Sequence, residues 1–167
     1  MKGHKTLPLL AALAVTACGA EDITPLEGDW YWNIGKSTLA EDSCGRYELG
    51  MSDDSDAQYL LSLTMAEDGA VELIDEDGVS LTCETDDGGA YACAPSSSTQ
   101  DLSKKDFDAV FSVTTALSFV LESSSKGTMS MRTDYGCEGE DCDAVSSEAS
   151  LPFPCFEIWE SGFYTSE

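Results

Sequence analysis

The sequence predicts an all-β fold: an antiparallel up-and-down barrel of about eight strands, with one short helix before the last strand. Three observations carry this. Tyr59, Leu61, Leu63 and Met65 alternate with Leu60, Ser62 and Thr64, the period of a strand with one buried face. Three acidic-glycine turns follow, Glu67-Asp68-Gly69, Glu76-Asp77-Gly78 and Asp86-Asp87-Gly88-Gly89, each pair separated by room for one short strand. Every odd position from Phe107 to Leu121 is apolar or Thr. A two-sheet β-sandwich shares this periodicity and is the alternative architecture; the meander order favours closure.

The elements are justified in chain order. Residues 1–17 carry Lys2 and Lys5, then an apolar run from Leu7 to Val15, too short to span a bilayer as a helix. The run ends in Val15-Thr16-Ala17 before Cys18, which resembles the lipobox of bacterial lipoproteins. The resemblance implies that 1–17 is a lipoprotein signal peptide and that Cys18 becomes the acylated N-terminus and membrane anchor. Gly19 rather than Asp follows Cys18, so the retention signal of enteric inner membranes is absent and the outer membrane is the expected address. Residues 18–26 then form the lipidated Cys and a short polar tether, and 27–167 the barrel domain.

Within 27–167 the meander occupies the first half. The segment from Phe107 to Leu121 would reach about 50 Å at ~3.3 Å per residue, so a bulge near Thr114-Thr115 is expected to bend it. Ser123 to Gly127 turns the chain into Thr128–Tyr135, where Met129, Met131 and Tyr135 share a face. Residues 143–150 have weak helical character, ended by Pro152 and Pro154, and Cys155–Tyr164 is the last strand.

Gly28-Asp29-Trp30 resembles the Gly-x-Trp opening of lipocalins and the wider calycins. Thr133-Asp134-Tyr135 matches the second lipocalin motif in letters, but no Arg follows Arg132 to supply the third. The resemblance implies a barrel whose interior takes a small apolar ligand. With the lipobox and the Cys-x4-Cys loop, the chain also resembles small lipoproteins of Gram-negative bacteria.

Beyond Cys18 there are six cysteines, an even count that points to disulfides in an exported domain. Fifteen pairings exist. Cys83 and Cys93 flank the Asp86–Gly89 turn, where a three-residue loop centred on Gly88 sets them opposite each other. Cys137 and Cys142 enclose Glu-Gly-Glu-Asp, whose repulsion favours a clamp. Cys44 and Cys155 remain as the third pair.

From Cys18 onward, six basic residues face 32 acidic ones, a formal charge of −26. That field repels phosphate backbones, so nucleic acid is excluded as a partner. The one histidine, His4, lies in the signal segment, which removes histidine-based triads and metal sites from the domain. With its cysteines paired and no phosphate loop, the domain is expected not to be an enzyme and to need no cofactor. Acid clusters at Asp53, Asp54 and Asp56, at Asp75, Glu76 and Asp77, and at Glu138, Glu140, Asp141 and Asp143 could meet Ca²⁺. None fits a Ca²⁺ loop, and no metal site is assigned.

Two functions remain. One is binding of a small apolar ligand inside the barrel, lined by Trp32, Tyr59, Phe111, Phe119, Met129 and Met131, with Trp30 beside them. The other is a structural or surface-interaction role, in which acidic loops meet a protein partner. An eight-stranded barrel is wide enough either to hold one small ligand or to be filled by its own side chains.

Overall fold

The computed structural model describes residues 23–86 and 89–165. They form strands β1 (Gly28–Trp32), β2 (Thr38–Asp42), β3 (Tyr59–Met65), β4 (Val71–Asp75) and β5 (Ser80–Thr85). Then come β6 (Ala90–Cys93), β7 (Ser96–Asp101), β8 (Ala109–Ser123), β9 (Lys126–Gly139), helix α1 (Cys142–Ala149) and β10 (Cys155–Thr165). Eight strands pair antiparallel in the order β1-β3-β4-β5-β6-β8-β9-β10, and β10 returns to β1. The fold is a closed antiparallel barrel with one short helix before its last strand. Closure rules out the sandwich.

The meander forms because its turns are chemically prepared. Asp75 accepts hydrogen bonds from the N–H groups of Asp77 and Val79, while Gly78 takes the positive φ of 79° that a side chain resists. The Asp86 N–H bonds the Ala90 carbonyl, which leaves three residues in the loop and sets Cys83 directly opposite Cys93.

The expected bulge at Thr114-Thr115 is absent. β8 keeps one register with β9 from Ala109↔Gly139 to Leu121↔Gly127, and the shift lies between Leu121 and Ser123. What replaces the bend is a change of partner. β8 pairs with β6 at Ser118–Val120 and with β7 at Val110–Thr115. β10 likewise pairs with β1 at Phe163–Thr165 and with β2 at Glu157–Glu160. The surplus length of β8, β9 and β10 therefore leaves the barrel and forms a second sheet, β7-β8-β9-β10-β2. Its new edge strands satisfy backbone groups that a bent strand would have had to hide.

One face runs through both parts. The registers align Phe119, Met129 and Ser161, then Leu117, Met131 and Trp159, then Thr115, Thr133 and Glu157, then Val113, Tyr135 and Cys155. Phe119 and Met129 of the first row belong to the barrel core with Trp30, Leu63 and Leu73, and Tyr135 and Cys155 of the last pack with Cys44, Leu151 and Phe153. A polar row thus separates two apolar clusters on one continuous surface.

Three disulfides join Cys44 to Cys155, Cys83 to Cys93 and Cys137 to Cys142, the three pairs ranked first from the sequence. Residues 1–22, which include Cys18 and the 1–17 segment expected to be a signal peptide, lie outside the described residues. Ile23 already packs against the barrel core, and the Leu26 N–H bonds the Ser124 carbonyl at 2.8 Å.

Candidate functional site

The barrel interior is filled by its own rings. Trp30 stacks on Phe163 at 4.5 Å between centroids, Tyr91 on Phe119 at 4.6 Å, and Phe119 tilts against Phe163 at 5.2 Å. Trp30, Phe119, Phe163 and Met129 are essentially without solvent contact. Trp32 closes the layer and donates its indole N–H to the Ser161 hydroxyl at 2.7 Å.

The residues expected to line a ligand pocket are therefore split among three places. Trp32, Phe119 and Met129 are core. Met131 packs on the edge of that core, and Tyr59, 52% exposed, caps Trp32 from outside at 5.7 Å. Phe111 lies in the second sheet, tilted against Phe153 at 5.6 Å, in a cluster with Leu102, Ala109 and Val145.

That cluster borders a cavity of about 230 Å³ between α1 and the second sheet. Val145, Glu148 and Ala149, spaced three and four residues apart, present one helical face to it. Phe111 of β8, Leu102 and Phe107 complete the apolar lining, and Lys105 joins Glu148 as its charged members.

Several local devices hold α1 over this space. The Cys137–Cys142 bridge ties its first residue to β9. The Asp108 N–H donates to the Asp141 carboxylate at 2.7 Å, and the Asp141 N–H returns to the Asp108 carbonyl at 3.2 Å. At the far end Ser150 is left-handed, and the Leu151 N–H bonds the Ser146 carbonyl.

The polar row supports a different arrangement. Glu157 is buried and pairs with Arg46 at 3.4 Å, while the Trp159 indole lies 3.5 Å from its other oxygen. Burial, with Glu157 as neighbour, holds the Tyr135 phenol above its ordinary pKa. Asp42, Cys44 and Glu157 bring potential ligand atoms within 4.8 Å of one another. They are not a metal centre: the Cys44 sulfur is in a disulfide, and the Asp42 carboxylate already accepts from the N–H groups of Cys44, Gly45 and Tyr47.

The acid clusters serve local purposes. Lys36 bridges Asp54 at 2.7 Å and Asp56 at 4.0 Å, Asp75 holds its turn, and Asp141 holds the approach to α1. Among the described residues none of these clusters converges as a set of three ligand atoms.

Sequence reasoning missed Leu102, Val145 and Ala149. Leu102 follows the unpatterned Ser96–Asp101, and Val145 and Ala149 sit in a helix with little amphipathic signal. The one usable clue was Phe107 with Phe111, two aromatics four residues apart in one alternating apolar run. No family model matches the chain, and no curated protein matches it in sequence.

Proposed function

We propose that the chain is an outer-membrane lipoprotein anchored through Cys18, and that its domain is a binding protein rather than an enzyme. The barrel is its rigid scaffold, and the small apolar ligand occupies the cavity beneath α1. The observation that carries the ligand reading is a contrast. The barrel interior is packed with stacked rings, whereas the second sheet borders a space lined mainly by apolar side chains. Signal-like residues 1–17 and the Val-Thr-Ala-Cys ending support the anchor.

Cys18→Ser tests the anchor: the protein should leave the membrane fraction, and unchanged detergent partitioning would overturn the lipoprotein reading. Native mass spectrometry of the oxidised domain tests the ligand reading. A small apolar adduct present in the wild type should be lost in Ala149→Trp, which fills the cavity from its exposed rim. An adduct retained by that variant places the ligand elsewhere. No adduct, and no uptake of added octanol, removes the binding reading.

A further inference from the structure

We infer that the cavity beneath α1 selects small apolar molecules that carry a carboxylate, with Lys105 as the recognising charge and Lys104 beside it. This rests on the reading of that cavity as a ligand site.

The inference begins with how the chain spends its few cations. Six basic residues lie in 23–165. Four are ion-paired: Lys36 with Asp54, Arg46 with Glu157, Lys126 with Glu122, and Arg132 with Asp134. Lys104 and Lys105 are the only two without an ion pair among the described residues, in a chain with 32 acids. Random placement on so acidic a surface would pair them readily.

Local structure explains how they stay free. Both lie on the 3-10 turn Ser103–Lys105, and the nearby acid Asp101 accepts the Ser103 N–H at 2.8 Å. That bond holds the Asp101 carboxyl below its ordinary pKa and directs it to the backbone. Asp141, which meets the chain at Asp108, is committed to the Asp108 N–H.

An anion is repelled by most of a domain whose formal charge from Cys18 onward is −26, so Lys105 at the rim of an apolar cavity, with Lys104 next to it in sequence, marks the place where one is tolerated. The apolar lining of Leu102, Phe107, Phe111, Val145 and Ala149 specifies the rest of the molecule. At about 230 Å³ the space is larger than the ~150 Å³ cavity that accepts benzene, and it suits one ring or one short acyl chain. Glu148 also lines the cavity and opposes any carboxylate placed away from Lys105.

Octanoate and octanol, matched in length, separate the contributions when titrated into the oxidised domain at low salt. Because Lys105 is solvent-exposed, octanoate should bind roughly two- to fivefold more tightly than octanol, the range of an exposed ion pair. Lys104→Gln/Lys105→Gln should abolish the preference without weakening octanol, 0.5 M salt should erode it, and Glu148→Gln should enlarge it. Equal binding of both compounds, unchanged in the lysine variant, overturns carboxylate selection and leaves the cavity reading intact. Binding of neither, or binding that survives Ala149→Trp, overturns the cavity reading itself.

Discussion

The indole N–H of Trp32 and the hydroxyl of Ser161, 129 residues apart in sequence, meet at 2.7 Å where the first and last strands close the barrel. Both residues are buried, so the bond is shielded from water. Ser161→Ala removes the acceptor and leaves the indole N–H without a partner, at a cost of about 1–3 kcal/mol. Denaturant unfolding should show a lowered midpoint with an unchanged slope. A midpoint equal to wild type would mean that the seam does not depend on this pair.

Asp42 makes a pH-dependent contribution. Burial alone would push its carboxyl up, but N–H groups of Tyr47, Gly45 and Cys44 outweigh it, and the folded pKa lies below the ordinary value. A depressed carboxylate stabilises the fold above its unfolded pKa, and the gain is lost as pH falls through the folded value. Asp42→Asn should therefore destabilise at neutral pH by about 1 kcal/mol, a solvent-screened loss because the amide keeps one acceptor oxygen. Its stability should then approach that of wild type as the pH drops below about 4, the ordinary Asp range. A parallel offset at every pH would contradict this.

The three disulfides should not contribute equally. Cys44–Cys155 spans 111 positions, Cys83–Cys93 spans 10, and Cys137–Cys142 spans 5. In the chain-entropy model the long bridge stabilises by roughly 4–5 kcal/mol and the shortest by about 2 kcal/mol. Cys44→Ala/Cys155→Ala should lower the melting temperature more than Cys137→Ala/Cys142→Ala. The second double variant should instead release the start of α1 and weaken octanol uptake. Equal melting losses would show that loop length does not govern these bridges.

Gly139 ends β9 at φ 132°, and a Cβ there would overlap the Asp108 carbonyl oxygen and crowd the Ala109 backbone. Gly139→Ala combines a disfavoured conformation with a backbone clash, each on the order of 1–3 kcal/mol. It should separate Asp108 from Asp141 and so disturb the corner that carries α1. Hydrogen exchange should rise at Asp108 and in α1 while β3–β5 stay protected.

Legibility in the sequence followed burial. Leu61, Leu63 and Phe119 were readable because one strand face is dry and the other wet. β7, Ser96–Asp101, is exposed at all six positions, so nothing in its residues distinguishes a strand from a loop. Alternation also reports the face of a strand but not the height along it. Phe111 and Phe119 share a face, yet eight residues at ~3.3 Å put them roughly 26 Å apart, in different clusters. Tyr59 has the parity of Leu61 and Leu63 but opens its strand, where the barrel no longer covers it. Cys83–Cys93 and Cys137–Cys142 were accessible because turn length and loop span are sequence quantities, and Cys44–Cys155 followed as the remaining pair.

The attachment of residues 23–26 would set which way a domain anchored through Cys18 faces. Leu26 bonds Ser124 and Thr165 bonds Ser125, so the described chain begins and ends beside the β8–β9 turn. The cavity beneath α1 lies at the other end of β8, up to ~40 Å away at full strand extension. Four residues separate Cys18 from Ile23, so five Cα–Cα steps reach at most ~18 Å. An acylated Cys18 would seat the β8–β9 turn against the bilayer and hold the cavity outward. Its ligand would then be gathered from the surrounding aqueous phase rather than drawn out of the membrane below.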